Sequence, residues 1–189
     1  MAPRPRERIL AAATRLFSEE GIHATGVDRV ITEAGVAPMT VYRHFAGKDE
    51  LVTATLERWS EQWLGWLRSE ARGDDARARL EGLWDALEKW FADEGFHGSY
   101  VANVANELRA KPGHPAQATV AAHRAALREL LGELARAAGV PSPADAAVAL
   151  HTLIDGATAV AVIDRQAGAA ASARAMAAAV LAEPALAGR

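Results

Sequence analysis

The chain has no cysteine. A disulfide framework and thiolate metal sites are therefore excluded, and a reducing compartment, the cytoplasm, is the expected location. It has no segment alternating apolar and polar residues over strand length, so helices are expected throughout. No nucleophile motif, phosphate loop or cofactor fingerprint occurs, so neither catalysis nor a bound cofactor is expected. An excess of positive charge is also missing: the formal net charge is -3 and the pI about 6.1, which taken alone argue against nucleic acid. The N-terminus MAPRPRERIL is basic, but no apolar core of signal-peptide length follows it. The most apolar stretch, 144–163, carries Asp145, His151 and Asp155, so a buried helix is expected and no membrane partner.

What is present is clearest between Thr25 and Leu51. Thr25 and Asp28 have capping-box spacing, which predicts a helix starting near Gly26. Val27, Val30, Ile31 and Ala34 repeat at threes and fours along it, and Gly35 offers the permissive backbone of a tight turn. Pro38 fits a first helical turn, so a second short helix is expected from Pro38 to about Phe45. Val41 and Phe45, four apart, face inward. Met39, Thr40, Tyr42, Arg43 and His44 are left mainly toward solvent, a face whose cation and hydroxyls suit phosphates and base edges. Upstream, Ile9, Ala12, Ala13, Leu16 and Phe17 stripe a helix over 6–20 that stops at Gly21, the third helix that a helix-turn-helix unit requires. Downstream, Gly47-Lys48-Asp49-Glu50-Leu51 opens another helix, where Lys48 and free amides could hold a phosphate. The first fifty residues are not net basic. The distribution still favours a local footprint, since Arg4, Arg6 and Arg8 cluster at the start while Arg43 and Lys48 flank the groove helix. The clustered arginines read equally as a solvated tail or a DNA-contacting arm.

The run LFSEEGIHATGVDRVITEAGVAPMTVYRHFAGKDELV closely resembles the N-terminal domain of TetR-family transcriptional repressors. The likeness is ungapped over the first fifty residues and includes AGV, the T-x-Y-x-H-F pattern and G-K-D-E-L. It implies that Thr40, Tyr42, His44 and Lys48 contact backbone or bases, with Pro38, Met39 and Arg43 nearest the base edges. Thr25, Arg4 and Arg6 complete the expected DNA-binding set. One departure is Ala37, which stands where many members have a Ser-like N-cap.

Beyond Leu51 the pattern is helical almost throughout. Trp59, Trp63 and Trp66 share one helical face, and Leu80, Leu83, Trp84, Leu87, Trp90 and Phe91 mark the next helix. A shorter helix capped at Ser99 holds Tyr100, Val104 and Leu108, and a long one ends at Gly139. Bulky rings can fill a core or line a pocket for an apolar ligand. The inward polar residues Asn103, Glu107, His123, His151 and Asp155 have three readings: a satisfied internal network, polar anchors for an effector, or a metal site of Glu107, His123, His151 and Asp155. The effector pocket that the resemblance implies would use Trp59, Trp63, Trp66, Trp84, Tyr100 and these five. The last two helices, over 143–168 and 170–182, are Ala-rich. Leu150, Leu153, Ile154, Ala157, Val160 and Ala161, with Met176 and Val180, are expected at a seam between two copies.

The expectation is an all-α protein of two domains: a three-helix helix-turn-helix unit over 1–50, and an effector-binding, dimerising unit over 51–189. It would act as a homodimeric repressor, bound to palindromic double-stranded operator DNA and released by a small, largely apolar effector. The rival is a small all-α metal-dependent enzyme or binding protein using Glu107, His123, His151 and Asp155.

Overall fold

Proline and glycine set most of the helix boundaries. Pro5, Pro38 and Pro143 each occupy the first turn of a helix, where a missing amide costs nothing. Gly21 and Gly35, both at positive φ, end the first two helices. The computed structural model describes residues 3–165 and 168–182. Among them the chain forms nine helices and no strand: α1 (Pro5–Glu19), α2 (Val27–Ala34), α3 (Pro38–His44), α4 (Lys48–Glu70), α5 (Ala76–Phe91), α6 (Tyr100–Glu107), α7 (Ala116–Ala137), α8 (Pro143–Ile163) and α9 (Ala169–Ala182). The all-α class and the three-helix start match the sequence expectation.

The chain divides into two compact units, each discontinuous in sequence. One takes in the chain through Gln62 together with Tyr100–His123; the other takes in Trp63–Ser99 and the chain from Arg124 onward. The division expected at residue 50 follows the motif, whereas the contacts follow the core. In the first unit Leu10, Leu16 and Phe17 of α1 share an interior with Val30 and Ile31 of α2 and Val41 of α3. Leu51, Val52 and Leu56 of α4 and Tyr100, Val104 and Leu108 from the α6 region close it. Three short helices alone have too little apolar surface; each large side chain buried here contributes about 1.5–3 kcal/mol.

Thr25 does not cap α2. The cap residue is Gly26, and the fully buried Thr25 hydroxyl donates to the Gly21 carbonyl at 2.8 Å. Capping-box spacing was present, but Thr25 satisfies the end of α1 instead, through the carbonyls that the αL turn at Gly21 leaves open. Ser142 likewise precedes α8 without a side-chain cap bond. Asp75, not expected as a cap, accepts from the Ala78 amide at 2.8 Å and starts α5.

In the second unit α8 buries Ala146, Ala147, Leu150, His151, Ile154, Ala157, Thr158 and Ala161, and α9 buries Ala169, Ala170, Ala173 and Ala177. By length and composition α8 could cross a membrane; here one of its faces is core. This corrects the expected subunit seam. Leu150, Ile154, Ala157 and Ala161 lie inside the chain's own interior, Leu153 and Val180 are half-buried, and only Val160 and Met176 are exposed. Arg174 ties α9 to α5 through Glu81 (2.6 Å) and Asp85 (2.8 Å).

Candidate nucleic-acid interface

Two inward residues hold α3. Val41 and Phe45 are buried, and their spacing leaves the opposite face to solvent. Met39 is 76% and Tyr42 50% exposed, Pro38 and Arg43 are exposed, and Thr40 and His44 are half-buried. Ala37 makes no side-chain cap bond, so the first turn rests on Pro38 and on the Thr40 amide, which donates to the Ala37 carbonyl at 2.9 Å. Arg43 forms no ion pair among the described residues. Arg15 and Arg29, by contrast, are occupied by Glu19 and Glu33, and by Glu20. A near-neutral balance over the first fifty residues thus coexists with an uncompensated cation on the outward face of α3.

Arg6 and Arg8 belong to α1 rather than to a loose arm. The Arg6 guanidinium lies 5.6 Å from the centre of the Phe45 ring, which places its charge beside the end of α3. Arg4, exposed, precedes the helix. Arg8 has a role that its sequence position did not signal: Nη2 donates to the Gly35 carbonyl at 2.7 Å. Arg58 of α4 reaches the Glu7 carbonyl and carboxylate, both at 3.3 Å, tying α4 to α1. Thr25, expected among the DNA contacts, turns its hydroxyl inward, so any contact there falls to its backbone.

Gly35 carries two constraints. Its φ of +59° is left-handed, and a Cβ there would stand 2.8 Å from Arg8 Nη2. Gly35→Ala should therefore cost about 1–2 kcal/mol from the backbone alone, plus displacement of Arg8. Thermal unfolding is expected to show the loss, with weaker DNA binding; an unchanged melting temperature would mean that the turn relaxes freely.

Lys48 opens α4. Partial burial, with Lys111 nearby, holds its ammonium below the ordinary lysine range, while Glu107 and Asp49 pull the other way.

The residues expected at an effector pocket divide between the two units. In the first, the Trp59 ring meets Tyr100 edge-on at 6.0 Å and His123 at 5.7 Å. The Tyr100 hydroxyl shares a hydrogen bond with Thr55 at 2.9 Å, and burial pushes its pKa well above the usual value. His123 Nδ1 lies 2.8 Å from the Ser60 hydroxyl, and Asn103 is half-buried. The Glu107 carboxylate accepts from the backbone amides of Ile22 and His23, both at 3.0 Å. In the second unit Trp63 packs against Trp66 and Trp90, and Trp90 against Phe96 at 5.0 Å; Trp84 is buried. His151 lies 3.6 Å from Asp155, which also accepts from Arg124 at 2.9 Å. Burial holds the His151 pKa below the ordinary imidazole value, with Arg124 and Arg128 acting in the same direction against Asp155. Among the described residues no three His, Asp or Glu side chains converge as a metal requires. The metal-site reading of Glu107, His123, His151 and Asp155 is thus not assembled: Glu107 is engaged by amides and Asp155 by an arginine.

The family described as bacterial regulatory proteins, tetR family, matches residues 9–55. The HTH-type transcriptional activator FasR of Mycolicibacterium smegmatis is 33% identical over 88 residues, 44% of this chain and 40% of the relative. The HTH-type transcriptional repressor KstR2 of Rhodococcus jostii is 35% identical over 79 residues, 41% of this chain and 39% of the relative. The chain thus spans about two fifths of the length of these curated relatives. The crystal structure of SCO4454, a TetR-family transcriptional regulator from Streptomyces coelicolor, extends the likeness to both units. It is 30% identical, with a TM-score of 0.83 over 94% of this chain and 88% of that one.

Proposed function

The chain belongs to the TetR family of bacterial regulatory proteins, and from that premise we propose that it is a homodimeric, cytoplasmic repressor of transcription that small molecules release from DNA. It is a DNA-binding regulator, not an enzyme. The observation that carries the proposal is the outward face of α3, where exposed Met39, Tyr42 and Arg43 stand on a helix anchored by Val41 and Phe45. Arg43 suits a guanine edge and Met39 a thymine methyl, while Thr40, Tyr42, His44 and Lys48 suit phosphates.

Two such helices about 34–36 Å apart would read successive major-groove turns of a palindrome, which requires a dimer. The exposed side of α8 supports one. Val148, Thr152, Gly156, Ala159 and Ile163 recur at threes and fours along it, and the outward face of α9 is Ala171, Ala175, Ala178 and Ala182. Small uncharged faces of this kind allow close helix packing between copies. For release, the Trp59 ring beside Tyr100 and His123 in the first unit offers apolar surface, with His123 or Asn103 meeting the polar end of an effector. Such an effector must bind the state with separated recognition helices better than the DNA-competent state, and that difference sets how far it relieves repression.

Selection of genomic fragments by the purified protein, followed by mobility-shift titration at several salt concentrations, tests the proposal. A palindromic site bound with steep salt dependence is expected, and a reporter under that site should fall silent when the protein is present. Absence of salt-sensitive binding to any fragment would sink it. Reporter induction in place of silencing would make the protein an activator.

A further inference from the structure

Glu107 ends α6, and its carboxylate faces the turn between α1 and α2. Oε1 accepts from the Ile22 amide at 3.0 Å. Oε2 accepts from the His23 amide and from His23 Nδ1, each at 3.0 Å. The turn passes through Gly21 at φ +88°, a left-handed conformation that favours glycine, while a Cβ there would meet both carboxylate oxygens at 3.4 Å, an ordinary van der Waals contact. Neither helix terminus explains an anion at this point, since the C-terminal ends of α1 and α6 both carry negative dipole charge. The three donors do. Burial pushes the carboxyl up, but the two amides and the His23 ring outweigh it and hold the pKa below the usual range.

A second tie lies seven residues along the chain. His114 is buried, and its Nδ1 accepts from the Ala116 amide at 3.1 Å, which leaves Nε2 to donate toward Asp49 at 3.2 Å. The segment from Glu107 to His114 therefore holds both the turn that leads into α2 and the first turn of α4.

We infer that Glu107 is a positioning residue for DNA reading: it ties the end of α6 to the α1–α2 turn, so that the placement of α2 and α3 depends on where α6 ends. The inference rests on the reading of α3 as the DNA-contacting helix. It also gives a physical route for regulation. Any ligand that shifts the end of α6 strains three charge-assisted hydrogen bonds on the turn leading into the DNA-reading helices.

The test uses the full-length chain with the variants Glu107→Gln, His23→Ala, His23→Asn and the double variant Glu107→Gln with His23→Ala. Each is titrated with the selected operator duplex and with an unrelated duplex of equal length, and amide exchange is followed at Ile22 and His23. Glutamine keeps the size but presents an NH2 to one donor amide. Glu107→Gln is expected to lower operator affinity about tenfold, with unrelated-duplex binding and the salt slope unchanged and faster exchange at the two amides. His23→Ala should lose less, His23→Asn should recover most of that loss through its own donor, and the double variant should be no worse than Glu107→Gln. Operator affinity within about twofold of wild type, or equal losses on both duplexes, would overturn the inference. If Glu107→Gln does not fold, the exposed His23 variants carry the same comparison. Failure of the wild-type chain to bind DNA would instead remove the functional reading on which the inference stands.

Discussion

Aspartate at Ile154 should unfold the second unit, whereas aspartate at Ile163 should leave it folded and split the dimer. Ile154 is 3% exposed on the inward face of α8, beside Leu150, Ala157 and Ala161; Ile163 is 77% exposed on the opposite side. An unpaired carboxylate in the interior costs several kcal/mol after relaxation, a large share of the roughly 5–15 kcal/mol that holds a domain together. The same group at position 163 costs the monomer almost nothing. Its penalty arises only when a second copy covers it, together with the stripe from Val148 through Gly156 and Ala159. Circular dichroism should show Ile154→Asp losing helix at ambient temperature, and sedimentation velocity should show Ile163→Asp and Val148→Asp as helical monomers. A folded, monomeric Ile154→Asp would return the seam to the inward face that the apolar periodicity first suggested. A dimeric Ile163→Asp and Val148→Asp would move it off α8.

Removing Arg43 should lower operator affinity by about 1–3 kcal/mol, roughly ten- to a hundredfold, and flatten the preference for one base at the contacted position. No acidic partner engages Arg43 among the described residues, so the full charge is available to a base edge. Lys48→Ala should act differently. At the start of α4, partly desolvated beside Lys111, it suits a phosphate, so its loss should weaken all duplexes alike and reduce the salt slope by about one. Quantitative titration of both variants against the operator and single-base substitutions of it separates the two roles. Equal losses across all sequences for Arg43→Ala would make it a phosphate contact and assign base reading to Met39, Thr40 or Tyr42.

The first three helices were legible because their signals are local. Apolar residues at threes and fours, prolines in first turns and glycines at helix ends act within four or five residues of backbone, so α1, α2 and α3 fall close to where the sequence places them. Outward Met39, Tyr42 and Arg43 follow from the same periodicity once Val41 and Phe45 are assigned inward. The Thr25 cap did not follow, because a hydroxyl at that spacing has two sets of backbone partners and only the packed turn at Gly21 selects one.

Tertiary structure decided the remainder, for three physical reasons. Helix α8 is apolar around most of its circumference, so periodicity could not separate the face buried against its own chain from the face left exposed; only packing assigns Leu150 and Ile154 to the first and Val148 and Ile163 to the second. The compact units are discontinuous, because the helix-turn-helix core is completed by α6, and no linear boundary at residue 50 can express a closure by a helix that begins at Tyr100. Glu107 was legible as an inward polar residue but not as a partner of Ile22 and His23, which precede it by 85 and 84 positions. Its acceptors find backbone amides, and every residue but proline carries one, so the partners leave no mark in the sequence.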